Sequence, residues 1–171
     1  MPSISLSRTA PFAILGCILS AYALYVEHKV ANKPEEEEFS AFCDIELIGA
    51  SCSNVFQLPE GRMLTYFNIV PKGSILDVPN AALGLLFYSY WLFLMPTLPN
   101  VLTVIVSSMA MASSVFLAIK LVMLNELCIL CWSTHAINSR IFWSVMANLV
   151  LGGNNNNSSS NKKKIKTIKR V

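Results

Sequence analysis

The sequence predicts an all-α fold: an integral membrane four-helix bundle with a cysteine-bearing loop between its first and second helices. Three observations carry this expectation. Only 13% of the 171 residues are charged, against about 25% in soluble domains, and mean hydropathy is +0.52. Four apolar runs, each long enough for a helix, divide the chain. The one sizeable polar stretch lies between the first two runs and holds two of the five cysteines, and a basic tail follows the fourth run.

The first helix is expected at about 10–27. Residues 10–26 are 17 in a row without a charge, the lower limit for a membrane span. Ser20-Ala21-Tyr22-Ala23 resembles a signal-peptidase site. The stretch before it offers only Arg8 as a positive charge, so the run is read as a retained helix. The loop follows at 28–79, with four Lys/Arg against eight Asp/Glu between Lys29 and Asp77. The second helix, at 80–98, is uncharged and aromatic-rich and is closed by Pro96 and Pro99. The third, at 100–124, is interrupted only by Lys120, read as snorkelling toward the near interface. The fourth, at 126–151, is the most polar and carries His135, Asn138 and Arg140. Residues 1–151 form the membrane domain, and 152–171 read as a disordered basic tail from their Asn/Ser run and lysines.

Four spans put both termini on one side. The tail holds Lys162, Lys163, Lys164, Lys166, Lys169 and Arg170, which makes that side cytoplasmic. The loop and the turn between helices three and four then share the opposite face. In a eukaryote that face is the endoplasmic reticulum lumen, where dithiol chemistry is permitted. The expected location is therefore the endoplasmic reticulum membrane, multi-pass, with lipid as the main partner. The net charge of +3 resides mostly in the tail, so no folded basic face supports nucleic-acid binding.

Cys128-Ile129-Leu130-Cys131 is a CxxC at the start of a helix. Residues three apart share a helix face, and a helix N-terminus favours the thiolate. Zinc would need four ligands. The other cysteine pair, Cys43 and Cys52, is spaced by eight residues, and His28 and His135 lie far from it in sequence. Redox chemistry is the favoured reading, a structural disulfide or a metal half-site the alternatives, and no metal is expected. At about 100° per residue, Cys128, Cys131, His135 and Asn138 fall within an arc of roughly 80°. Polar groups on a membrane helix are expensive and point to function, with hydrogen bonding between helices as the alternative. Two dithiols on one face suggest a relay by disulfide exchange, with a simple Cys43–Cys52 staple as the alternative. Cys17 reads as a small buried hydrophobe.

These residues resemble the vitamin K epoxide reductase family, up to about Leu151. Cys43-Asp44 with Ser51-Cys52-Ser53-Asn54-Val55-Phe56 is similar to its loop-cysteine motif. Gly73-Ser74-Ile75-Leu76 resembles its short membrane-anchor segment, and Asn80, Gly84 and Phe87-Tyr88 the start of its second helix. Cys128-Ile129-Leu130-Cys131 with Thr134-His135-Ala136-Ile137-Asn138 resembles its catalytic helix. The resemblance implies that Cys131 acts on the quinone, that Cys128 is its disulfide partner, that Cys52 attacks Cys128 and that Cys43 exchanges with a luminal thioredoxin-like protein. It implies that Asn80 and His135 hydrogen-bond the quinone and that Phe56, Leu83 and Phe87 wall its ring. It implies vitamin K quinone or epoxide as substrate, no tightly bound cofactor, and coumarin-type inhibitors as ligands. The chain departs from the familiar animal enzymes in two places: eight rather than seven residues separate the loop cysteines, and His135 stands where a Tyr is typical. Two other functions fit the same pattern: a quinone-driven oxidase that makes disulfides, and a non-enzymatic four-helix scaffold with structural cysteines.

Overall fold

The computed structural model describes residues 6–32, 41, 43, 44, 51–56, 58–94 and 99–168. The glutamates at 35–38 lie outside the described residues. Among these residues the architecture is all-helical: α1 (Leu6–Ala31), α2 (Cys52–Val55), a 3-10 turn (Pro59–Gly61), α3 (Met63–Tyr66), α4 (Asn80–Phe93), α5 (Asn100–Met123) and α6 (Ile129–Ile168). Two segments are long and apolar enough to cross a membrane, Thr9–Ala31 and Asn100–Met123. Only 33% and 17% of their most apolar windows are buried. A core helix of a soluble protein would hide most of such a surface, so these faces suit lipid. Ile14, Ile18, Leu86, Met109, Ile119 and Trp143 stand on this exposed apolar exterior.

α1 packs against α4 and α6, and α6 against α5. The α1–α4 contact is close because small residues line it. Ala13, Gly16, Ser20 and Ala23 recur at intervals of three and four along α1. A Cβ on Gly16 would lie 2.6 Å from the Tyr88 ring, and one on Gly84 would lie 3.0 Å from Ser20 Oγ. At the far end, Trp91 Nε1 donates to Thr9 Oγ1 at 2.9 Å, with both residues fully buried. Pairing of 9 with 91, 16 with 88 and 20 with 84 makes the two helices antiparallel. One core gathers Ala13, Tyr88, Trp91, Ile137, Ile141 and Val145. A second, at the other end, surrounds Cys52 and Cys128 with Ala23, Val26, Val55 and Leu121.

The helix limits differ from those expected at several points. α1 begins at Leu6 and contains Pro11, whereas apolarity alone starts it at 10. It also runs past 27 to Ala31, where His28 and Lys29 in its last turn favour the negative helix end. α4 stops at Phe93, and 95–98 lie outside the described residues. The segment expected as plain loop at 28–79 contains two short helices and a 3-10 turn. α6 continues to Ile168, beyond the limit of 151, so the backbone is helical where composition alone reads disorder. A helix already nucleated extends one residue at a time without a new nucleation cost.

Gly16→Ala should force the buried Tyr88 ring aside. The cost of such overpacking is about 1–3 kcal/mol. Thermal unfolding of detergent-solubilised protein should show a lowered midpoint, and an unchanged midpoint would mean that the α1–α4 spacing is not set here.

Candidate active site

α5 ends in a Schellman motif. Asn125 adopts φ 55°, its N–H donates to Val122 C=O at 3.2 Å, and the Glu126 N–H donates to Leu121 C=O at 3.0 Å. The chain thus reverses within a few residues and delivers Cys128 to the start of α6. Cys128 is the N-cap: the Trp132 N–H donates to its C=O at 3.0 Å and the Cys131 N–H to its Sγ at 3.2 Å. The Cys128 and Cys131 sulfurs are 2.6 Å apart, and both are free cysteines.

The loop cysteines are held against this turn. The Ser51 N–H donates to Leu127 C=O at 2.9 Å. Asp44 accepts from the N–H groups of Ala41 at 2.8 Å and Cys52 at 2.6 Å. Cys43 and Cys52 form a disulfide with Cα atoms 6.0 Å apart. Cys52 Sγ lies 3.5 Å from Cys128 Sγ. Four sulfurs therefore run in line from the half-buried Cys43, through the fully buried Cys52 and Cys128, to Cys131. Cys43, Asp44 and Cys52 have ligand-type atoms within 4.8 Å of one another, but the disulfide occupies both sulfurs, and disulfide exchange is the chemistry this arrangement suits.

Cys131 forms part of the wall of a cavity of about 600 Å³, within the usual range for small-molecule sites. Its walls are largely apolar, with Phe56, Leu83 and Phe87 among them. Polar groups are few and organised. His135 Nδ1 is 3.2 Å from Ser114 Oγ. Asn138 donates to the same hydroxyl at 2.7 Å and accepts from Tyr88 Oη–H at 2.7 Å. His135 is 9% exposed, and its Nε2 has no hydrogen-bond partner. A buried unpaired ring nitrogen in a cavity wall is placed to meet a ligand oxygen.

The segment 58–67 closes the cysteine end of the cavity. Asn80 Oδ1 accepts from the Met63 N–H at 2.9 Å, and Asn80 Nδ2 donates to Glu60 C=O at 2.6 Å. Arg62 ties the segment to Glu27 at 3.4 Å and to Asp77 at 3.5 Å. The Gly73 N–H and the Thr65 hydroxyl hold the Asp77 carboxyl below the ordinary carboxylate value; burial opposes them, and the Arg62 charge adds a lesser lowering.

A model of the vitamin K epoxide reductase family matches residues 9–146, most of the chain and every element of this site. The chain belongs to the vitamin K epoxide reductase family. Vitamin K epoxide reductase complex subunit 1 of Mus musculus is 35% identical over 130 residues, covering 73% of this chain and 78% of that protein. The protein of the same name from Rattus norvegicus is 33% identical over 131 residues, covering 74% and 79%. Membership makes this a membrane oxidoreductase, and the sulfur line is the redox feature the geometry supplies.

For this family member, the cavity brings together Cys131 and all five residues expected around the ring: Asn80, His135, Phe56, Leu83 and Phe87. Cys43, Cys52 and Cys128 stand behind Cys131 rather than on the wall. Two placements differ from expectation. Asn80 has its amide oxygen and one N–H engaged by loop backbone, because its position at the first turn of α4 faces the 3-10 turn. Lys120 does not simply snorkel: its Nζ is 3.6 Å from Glu60 Oε1 and 5.2 Å from the Tyr66 ring centroid. Cys17 is partly buried, its sulfur 4.0 Å from Ser89 Oγ. Sequence reasoning missed Ser114, Glu60 and the roles of Tyr88 and Lys120. Tyr88 carried a signal as part of the Phe87-Tyr88 motif, and Lys120 as a lone charge in an apolar helix.

Ser114→Ala removes one hydroxyl from two partners, the buried His135 and the half-buried Asn138. Leaving such groups unpaired costs about 1–3 kcal/mol. A fall in thermal midpoint is expected for Ser114→Ala and a smaller one for Ser114→Thr, which keeps the hydroxyl. The double variant Ser114→Ala/Asn138→Leu should lose less than the sum of the single losses. Strict additivity would mean that the two side chains share no network.

Proposed function

We propose that this chain reduces a vitamin K-type quinone, and its epoxide, with electrons from a thioredoxin-like dithiol protein. The observation that carries the reading is the line of four sulfurs ending on a cavity wall that also bears the unpaired His135 Nε2. The names of the mouse and rat relatives supply the substrate class. In this reading α1, α4, α5 and α6 are four spans, the termini are cytoplasmic, and the cysteine end faces the endoplasmic reticulum lumen. The lysine-rich tail supports that orientation. Ile75 and Leu76, 97% and 63% exposed, suit an anchor in the lipid interface.

The step balances on this chain's own thiols. Cys128 and Cys131 lose two electrons and two protons as their disulfide forms, and the quinone takes both pairs to become the hydroquinone. With the epoxide, the same two electrons and protons release water and leave the quinone. Cys52 thiolate then attacks Cys128 and frees Cys131. Cys43 attacks Cys52 and frees Cys128, leaving a Cys43–Cys52 disulfide for the external dithiol to reduce. The substrate is the only quinone required, and no tightly bound cofactor enters. Coumarin-type inhibitors would occupy the same cavity.

Replacement of individual cysteines tests the relay. Cys128→Ser and Cys131→Ser should abolish quinone turnover with every reductant, and Cys43→Ser, which lacks the thiol that releases Cys128, should accumulate a Cys52–Cys128 mixed disulfide visible by mass spectrometry after oxidation by quinone. Cys43→Ser should stop reduction by a protein dithiol yet spare turnover with a small membrane-permeant dithiol. Equal loss at all four positions with both reductants would sink this division of labour.

His135 is proposed to donate from Nε2 to a quinone oxygen. A phenol at this position is longer and places its O–H elsewhere. His135→Tyr should raise epoxide turnover and coumarin sensitivity with little change in quinone turnover, and His135→Phe should weaken both reductions. Identical epoxide-to-quinone ratios in all three proteins would remove His135 from the substrate site.

A further inference from the structure

We propose that Lys120 supplies the second polar contact to the quinone ring, opposite His135, and stabilises the negative charge that grows on that oxygen during reduction. The inference rests on the quinone-reductase reading above. It begins with the levels of three side chains along two antiparallel helices. Ser114 on α5 and His135 on α6 meet at 3.2 Å and so share a level. Lys120 lies six residues beyond Ser114, and Cys131 four residues before His135, both toward the cysteine end. At 1.5 Å per residue these offsets are about 9 Å and about 6 Å. The reactive sulfur therefore lies at a level between His135 and Lys120, and all three line one cavity. A ring held over Cys131 would present one oxygen toward each polar group.

The placement of Lys120 needs an explanation that snorkelling does not give. It is the only charge in α5, where an ammonium is costly. Its side chain is 26% exposed, sits 3.6 Å from the Glu60 carboxylate and lies near the Tyr66 and Phe116 rings at 5.2 and 5.9 Å. An ammonium has three donors. The ion pair with Glu60 at 3.6 Å engages one of them, and the Tyr66 and Phe116 rings lie beside it, which leaves a donor for the cavity among the described residues. Asn80 is less free, since its oxygen and one N–H bind Met63 and Glu60 backbone. Its role here is positioning: it fixes the turn that carries Glu60, the partner of Lys120.

The chemistry matches. As two thiols close to a disulfide, two electrons reach the ring before both protons do, and one oxygen carries negative charge in between. A fixed cation in a site of low dielectric stabilises such charge far more than water-exposed charge would. The same cation should favour ligands that are anionic on that oxygen over neutral quinones of equal size.

The experiment compares two probes on full-length protein in detergent: 2-hydroxy-1,4-naphthoquinone, at a pH where it is an anion, and neutral 2-methyl-1,4-naphthoquinone. Dissociation constants are measured for wild type, Lys120→Met, Lys120→Arg and Glu60→Gln, with kcat and KM for the neutral quinone under a small dithiol. Lys120→Met should lose about tenfold or more in affinity for the anion and little for the neutral probe, and its kcat should fall about tenfold with KM nearly unchanged, the pattern of a lost oxyanion donor. Lys120→Arg should largely restore both, and Glu60→Gln should strengthen anion binding by releasing the cation. Equal loss of both probes in Lys120→Met, or an unchanged ratio in all variants, overturns the proposal and leaves Lys120 as a structural tether. If wild type binds both probes but never oxidises its thiols with quinone, the functional reading falls, while the anion-to-neutral ratio still judges Lys120.

Discussion

The 3.5 Å contact between the Cys52 and Cys128 sulfurs sets the terms for the structure around it. Disulfide exchange requires the attacking sulfur to reach its target. The two residues are 76 apart in sequence and sit on different segments. Several ordinary devices hold them together. A Schellman motif turns α5 into α6, the Ser51–Leu127 backbone bond docks the loop on that turn, and Asp44 gathers the N–H groups on either side of the loop disulfide. Both sulfurs are fully buried in an apolar cluster, which keeps thiols in solution away from them.

The cavity depends on the opposite kind of contact. Close approach of α1 and α4 through Gly16 and Gly84 locks the Tyr88 ring, and Tyr88 passes that rigidity to Asn138, Ser114 and His135 by hydrogen bonds. Each of these polar groups would be costly in an apolar setting if left alone. Linked, they leave one ring nitrogen, His135 Nε2, without a partner. The site thus combines a dry sulfur line with a wall whose polarity is confined to a few fixed points.

Much of this was legible in the sequence because it rests on local rules. Helical periodicity put Cys128, Cys131, His135 and Asn138 on one stripe, and three of them prove to belong to one sulfur pair and one cavity wall, with Asn138 lining it as well. For Asn138 the bland alternative also holds: its amide bonds α4 and α5. Ser114 and Glu60 were invisible, and Tyr88 was marked only as part of a motif, because their significance lies in what they touch across the fold. No spacing rule marks a serine in an apolar helix as the shared partner of a histidine and an asparagine. Helix ends were equally elusive, since caps and nucleation, rather than apolarity, decide them.

The sequence by itself determined the helical, lipid-facing character, the family motifs and which cysteines are candidates for redox chemistry. Composition, periodicity and short motifs are properties of neighbouring residues, and neighbouring residues are what a sequence states directly. The tertiary structure decided the order of the sulfurs in space, the engagement of Asn80 with the loop backbone, and the turning of Lys120 toward Glu60 and the cavity. Those outcomes depend on which helices approach, how closely, and at what level along their axes. Such distances are set by packing between segments far apart in the chain, and no local pattern encodes them.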